Sequence, residues 1–254
     1  MIFTRFLPGV LKELIKHIPT VLFDTVEWSV LAHEFPKISK RYLQKEGLHE
    51  LFDLQKAFLA PLKIRLDETT LKDRSTTSPH IGHEVLRLYF AQVQSPHGMF
   101  IDLSENHFTE NTHSELVFHP NPLWTKFDIN FQRGLVKIYD GFYLEDNELL
   151  KDGLIQCKLM DTNWDDYTKM EMIELFKKHF GASLTSEMVF KLDTFKDSFM
   201  TLADFLLSNK VKISVDFIYL GISLITMYST LEKFNTSANV QKIYLDLKKD
   251  LKLL

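Results

Sequence analysis

What most limits the folds open to this chain is its shortage of turn formers: nine glycines and eight prolines among 254 residues, set against 21 phenylalanines. Few reversals and many bulky apolar side chains predict long helices over a thick core. With 45% hydrophobic and 25% charged residues, the composition is that of an ordinary globular protein and argues against disordered, collagen-like and multi-pass membrane classes. A chain of this length buries a sizeable core without staples. The fold class expected is mostly α-helical α+β. Residues 1–254 form one domain: a helical part over 1–95, a small antiparallel sheet of four strands or fewer over 97–143, and a helical part over 145–254.

Charge and cysteine content narrow the function classes. The net charge of −4 lacks the basic face that displaces counterions from phosphates, so no nucleic-acid partner is expected. Cys157, the single cysteine, cannot form an internal disulfide, and the sequence Leu154-Ile155-Gln156-Cys157 reads as core. The longest apolar stretch, 217–228, contains Gly221, Ser223 and Thr226 and is too short for a transmembrane segment. Lys12, Glu13 and Lys16 interrupt the N-terminal apolar run, so no signal peptide is expected. A cytoplasmic protein, peripheral to a membrane at most, is the resulting expectation.

Along the chain, Val10, Leu11, Leu14, Ile15 and Ile18 recur at helical spacing before Pro19, and further helices are expected over 20–33, up to Gly47, and over 48–58. The polar stretch 67–78 reads as a loop. Val85, Leu86, Tyr89, Phe90 and Val93 share one face of a helix over 82–94. Two short β-like runs follow at 99–103 and 115–119. Phe127, Ile129 and Phe131 then alternate with Lys126, Asp128 and Asn130, the period of a half-buried strand. With Gln132-Arg133-Gly134 as the turn and 135–139 returning, a hairpin near 124–139 is expected. Helices resume over 169–180, ending at Gly181, then from a Thr194 cap, then over 215–234 and 240–251.

Common chemical motifs are absent: there is no Walker phosphate loop, GxGxxG, GxSxG or HExxH. Glu46 and His49 have ExxH spacing but no second copy, and Gly47 breaks the helix that would present them. His80 and His83 sit at a loop-to-helix junction. His97, His107, His113 and His119 crowd the β-like region, where Asp102 and Glu105 could complete a metal site, although their irregular spacing favours surface loops.

A more specific arrangement is Phe118-His119-Pro120-Asn121-Pro122, then the expected hairpin, then Tyr139-Asp140-Gly141-Phe142. Amide and carboxylate oxygens are hard ligands suited to magnesium. Farther on come 199–207 (FMTLADFLL), Val211-Lys212-Ile213, 216–221 (DFIYLG) and Leu231-Glu232. This order of parts over roughly 116–234 resembles the C-terminal lobe of the UbiB/AarF family of atypical kinase-like proteins. In that family a His-Pro-Gly-Asn loop precedes a hairpin and a metal-binding Asp-Phe-Gly. The resemblance implies that His119, Asn121 and Asp140 converge as a cofactor site, with Asn121 and Asp140 holding magnesium beside ATP. Val117 stands where the family carries its catalytic aspartate, and the final motif reads Asp-Gly-Phe. The implied function is therefore a degenerate pseudokinase that binds nucleotide or metal without transferring phosphate, acting on a protein or lipid-related partner. Any residual activity would be kinase-like or ATPase chemistry. The alternative is a helical binding or scaffold protein without kinase ancestry, acting through an apolar groove.

Overall fold

The computed structural model describes residues 48–68, 79–113, 115–121, 123–180 and 187–252. The helices expected before residue 48, Glu46, most of the polar stretch after residue 67, and the Gly181 helix stop lie outside them.

The described residues form eight α-helices and three small sheets, a mostly helical α+β fold. The helices are α1 (Leu48–Leu59), α2 (Pro79–Gln94), α3 (Ile129–Tyr143), α4 (Asn147–Gln156), α5 (Asp166–Phe180), α6 (Leu192–Ser208), α7 (Val215–Lys233) and α8 (Val240–Asp250). α7 is buried on most of its turns, including Ile222, Leu224, Ile225, Met227 and Leu231, because it is apolar nearly all round. Ser214 starts it by accepting from the Phe217 N–H. α2 buries Val85, Leu86, Tyr89, Phe90 and Val93, the face that the periodicity predicts. No helix among the described residues is long and apolar enough to cross a membrane.

The expected hairpin near 124–139 is a helix instead. Asp128 caps α3, its carboxylate accepting from the N–H groups of Asn130 and Phe131. Past that cap, Phe131, Leu135, Ile138, Tyr139 and Phe142 recur at helical spacing and are buried. Ile129, which the alternation assigns to the core, is 52% exposed. Gly134 makes no turn. It lies in a tight seam with α4, where an added methyl would come within 2.7 Å of Cys157 Sγ, and one on Gly153 would come within 2.7 Å of Gly134 O and Ile138 N. Gly141 meets the Leu150 backbone in the same seam.

The sheet region also differs from a single antiparallel sheet. β1 (Arg65–Leu66) runs parallel to β4 (Leu116–Phe118), which pairs antiparallel with β3 (Phe108–Glu110) in the register Phe108 to Phe118. A separate antiparallel pair joins β2 (Met99–Phe100) to β5 (Trp124–Thr125), and strand structure in this region stops there. A third pair, β6 (Met188–Val189) with β7 (Ser237–Ala238), ties the start of α6 to the start of α8.

Several helices end on a non-glycine residue in left-handed conformation. Glu145, Lys158, Lys210 and Asn235 have φ between 49° and 59°. In each case the next N–H reaches back five residues: Asp146 to Gly141 O, Leu159 to Leu154 O, Val211 to Leu206 O, and Thr236 to Leu231 O. α6 starts before Thr194, with Lys191 at its cap, and the Leu192 N–H donates to Glu232 at 3.2 Å. Cys157 is buried as expected, and burial, with Asp216 adding to it, pushes its thiol up to about 12.

Candidate functional site: a buried Asp102–His107–Asn121 cluster

The loop at residues 101–104 is fixed before its side chains are considered. Leu103 N–H donates to Thr226 Oγ1 at 3.0 Å, and Leu103 O accepts from Thr230 Oγ1 at 2.7 Å. Both threonines project from α7, one turn apart. Ile101 N–H donates to Leu123 O at 3.0 Å on the other side. The Asp102 side chain is thereby held inside the fold, at 4% exposure.

Its carboxylate meets four polar groups. Oδ1 accepts from the Ser104 N–H at 3.1 Å and from the Ser104 hydroxyl. Oδ2 accepts from Asn121 Nδ2 at 2.6 Å and faces His107 Nε2 at 3.2 Å. Burial works against the charged form. The hydrogen bonds from His107 and Ser104 outweigh it, so the carboxyl is held below its ordinary value.

A 3₁₀ turn over Glu105–His107 presents the imidazole. Its Nδ1 lies 2.9 Å from His119 O, which can only accept, so Nδ1 carries a hydrogen. Nε2 is enclosed between Asp102 and Asn121, whose Nδ2 lies 3.4 Å away. With the carboxylate ionised, the Asp102 contact is a hydrogen bond when Nε2 is protonated too, which makes the pair an imidazolium–carboxylate ion pair. Either way, both ring nitrogens face protein. Asn121 Oδ1 accepts from the Leu123 N–H at 2.9 Å, and His119 Nε2 lies 2.9 Å from Thr109 Oγ1.

Two of the three site residues expected from sequence, His119 and Asn121, therefore meet at this cluster. Asp140 does not join them. It sits on α3, where one carboxylate oxygen accepts from Lys248 Nζ at 2.6 Å and Tyr244 OH at 2.8 Å. Without the hairpin that was to bring them together, Asn121 and Asp140 have disjoint partners. This arrangement does not fit a magnesium seat shared by the two, because the amide oxygen of Asn121 is spent on Leu123 and an ammonium occupies the Asp140 carboxylate.

The other histidines disperse. His97 packs edge-on to Phe58 at 6.5 Å, His113 is exposed, and Glu105 pairs with Lys233. His49 lies 3.4 Å from Glu68, and His83 lies 2.8 Å from Ser237 O. Among the described residues, no three His, Cys, Asp or Glu side chains are grouped to hold a metal ion. Thr226 and Thr230 escaped sequence reasoning. The only signal for them is a pair of threonines four residues apart in a mostly apolar helix that also carries Ser223 and Ser229.

No known family model matches this chain, and no curated protein is significantly similar to it.

Proposed function

We propose that this chain is a non-catalytic helical binding protein. One observation supports the reading: the polar groups of the Asp102 cluster are spent on one another. A general base needs a lone pair aimed at a substrate, and a hard-metal site needs free oxygens. Here the histidine nitrogens point at His119 O and Asp102, the Asn121 oxygen takes Leu123 N–H, and both oxygens of Asp102 are occupied. Such a cluster works as a clamp. It fastens residues 101–107 to α7 and to His119, Asn121 and Leu123, and holds the helical framework in one shape, which is what a binding surface needs.

Thermal unfolding with millimolar magnesium–ATP tests this against the kinase-like reading. The expected result is the same melting temperature with and without nucleotide, in the parent chain and in Asn121→Ala and Asp140→Ala. Stabilisation approaching about 2.7 kcal/mol at 100-fold saturation, abolished by both substitutions, would overturn the proposal in favour of a nucleotide-binding pseudokinase.

A further inference from the structure

α5 has two unlike faces. Met172, Ile173 and Phe176 are buried against the core. On the opposite side Tyr167 is 79% exposed and Met170 is 53% exposed, one turn apart. Exposed Glu171 and Glu174 share that outward face, since residues three, four and seven apart align on a helix. Exposed Asp161, Asp165 and Asp166 surround its N-terminal end. Between residues 161 and 178 there are five carboxylates and three lysines: half-buried Lys169, Lys177, which pairs with Glu174 at 3.2 Å, and exposed Lys178 at the far end of the face. Trp164, packed edge-on against Phe205 at 5.8 Å, anchors the turn that leads into the helix.

Tyr and Met are the side chains enriched in the cores of protein interfaces, and acidic residues are depleted there and fall at the rim. The α5 face has that layout at its N-terminal half, an apolar pair among carboxylates that outnumber the lysines. We infer that it docks a basic amphipathic segment of a partner protein, with one or two apolar side chains seated on Tyr167 and Met170 and Lys or Arg facing the carboxylates. The surplus of negative charge around Tyr167 and Met170 disfavours nucleic acid, anionic lipid and the same face of a second copy. This inference rests on the binding-protein reading and adds the partner class to it.

The probe is a synthetic helical peptide carrying Lys and Arg around two Leu residues, with a Glu-substituted peptide of the same apolar pattern as control. Binding is followed by backbone amide NMR shifts on the full chain. The basic peptide should perturb residues 161–174, bind about tenfold or more tightly than the control, and weaken between about 50 mM and about 500 mM salt. Tyr167→Ser with Met170→Ser, and separately Glu171→Lys, should each weaken it about tenfold or more. Asp246→Lys, an equal charge change on α8, should not. These positions are exposed, so the variants should keep the parent melting temperature.

Equal affinity for both peptides, or an unchanged affinity in the α5 variants, overturns the assignment. So does a dimer that the serine substitutions dissolve, since the occupant is then a second copy. If the peptides fail while the melting temperature stays insensitive to nucleotide, only the partner class falls. If nucleotide stabilises the chain, the underlying reading falls instead.

Discussion

The side-chain amide of Asn121 donates to the buried carboxylate of Asp102 across 2.6 Å, and the same carboxylate also meets His107 and Ser104. Removing either member leaves the other short of a partner inside the fold, but the two losses differ. Asp102→Ala strips His107 of its carboxylate and should cost about 3 kcal/mol or more. Asn121→Ala removes one donor and a loop contact and should cost about 1–2 kcal/mol. Because the Asp102 carboxyl is held below its ordinary value, its contribution is full above the usual carboxylate range and is lost as pH falls through the depressed folded value. Urea unfolding of both variants at neutral and acid pH checks the order of the costs and their convergence in acid.

The seam between α3 and α4 predicts the reverse of ordinary helix propensity. Alanine in place of a helical glycine normally stabilises by about 1 kcal/mol. A methyl on Gly153 would instead meet backbone atoms of Gly134 and Ile138 at 2.7 Å. Gly153→Ala should therefore destabilise by about 1–3 kcal/mol, read as a fall in the denaturant midpoint. A neutral or stabilising result would show that the helices can separate.

His179 gives a second pH dependence. Its Nδ1 lies 2.8 Å from Ser198 Oγ, its ring packs on Phe180, Phe195 and Phe199, and burial pushes its titration down to about 4. The unfolded chain takes up that proton more readily. Stability is thus full above about 6.5, falls as pH drops towards about 4, and loses no more from this group below that. The slope should approach, at most, about 1.4 kcal/mol per pH unit. Melting temperatures of the parent and His179→Phe, compared from pH 7 to 4, should show a shallower decline in the variant.

The left-handed helix ends predict gains. Glu145, Lys158 and Lys210 hold positive φ with a side chain present, a conformation glycine adopts without strain. Lys158→Gly and Lys210→Gly should each stabilise by about 1 kcal/mol, checked as a higher denaturant midpoint with an unchanged m-value.

These same positions explain part of what sequence could not convey. Where a stripe was long, as in α2 and α8, the periodicity located the helix, because burial of one face is what selects it. Helix ends were less legible, since the expected glycine signal is absent at Glu145, Lys158 and Lys210. The expected hairpin gives way to a helix because Phe127 and Phe131, whose rings are 5.3 Å apart, satisfy a strand period and a helix period equally well. What decides between them is Asp128, a polar strand residue in one reading and a helix cap in the other. His107, His119, Asp102 and Asn121 were each visible as polar residues in one region. Their pairing depends on Thr226 and Thr230, more than a hundred residues away, and no local pattern carries that information.

The ties of α8 bear on how the molecule is made. Tyr244 meets Gln94 across 150 residues, Asp250 meets Arg87 across 163, and Lys248 meets Asp140 across 108. At a synthesis rate of about 5–20 residues per second, residues 240–250 leave the ribosome roughly 10–30 s after α2. Throughout that interval the apolar side of α2 and the aromatic rings around Tyr139 lack the helix that covers them. The nascent chain therefore passes through a long stage with its central surface open, one in which a holdase has something to grip and a competing chain has something to stick to.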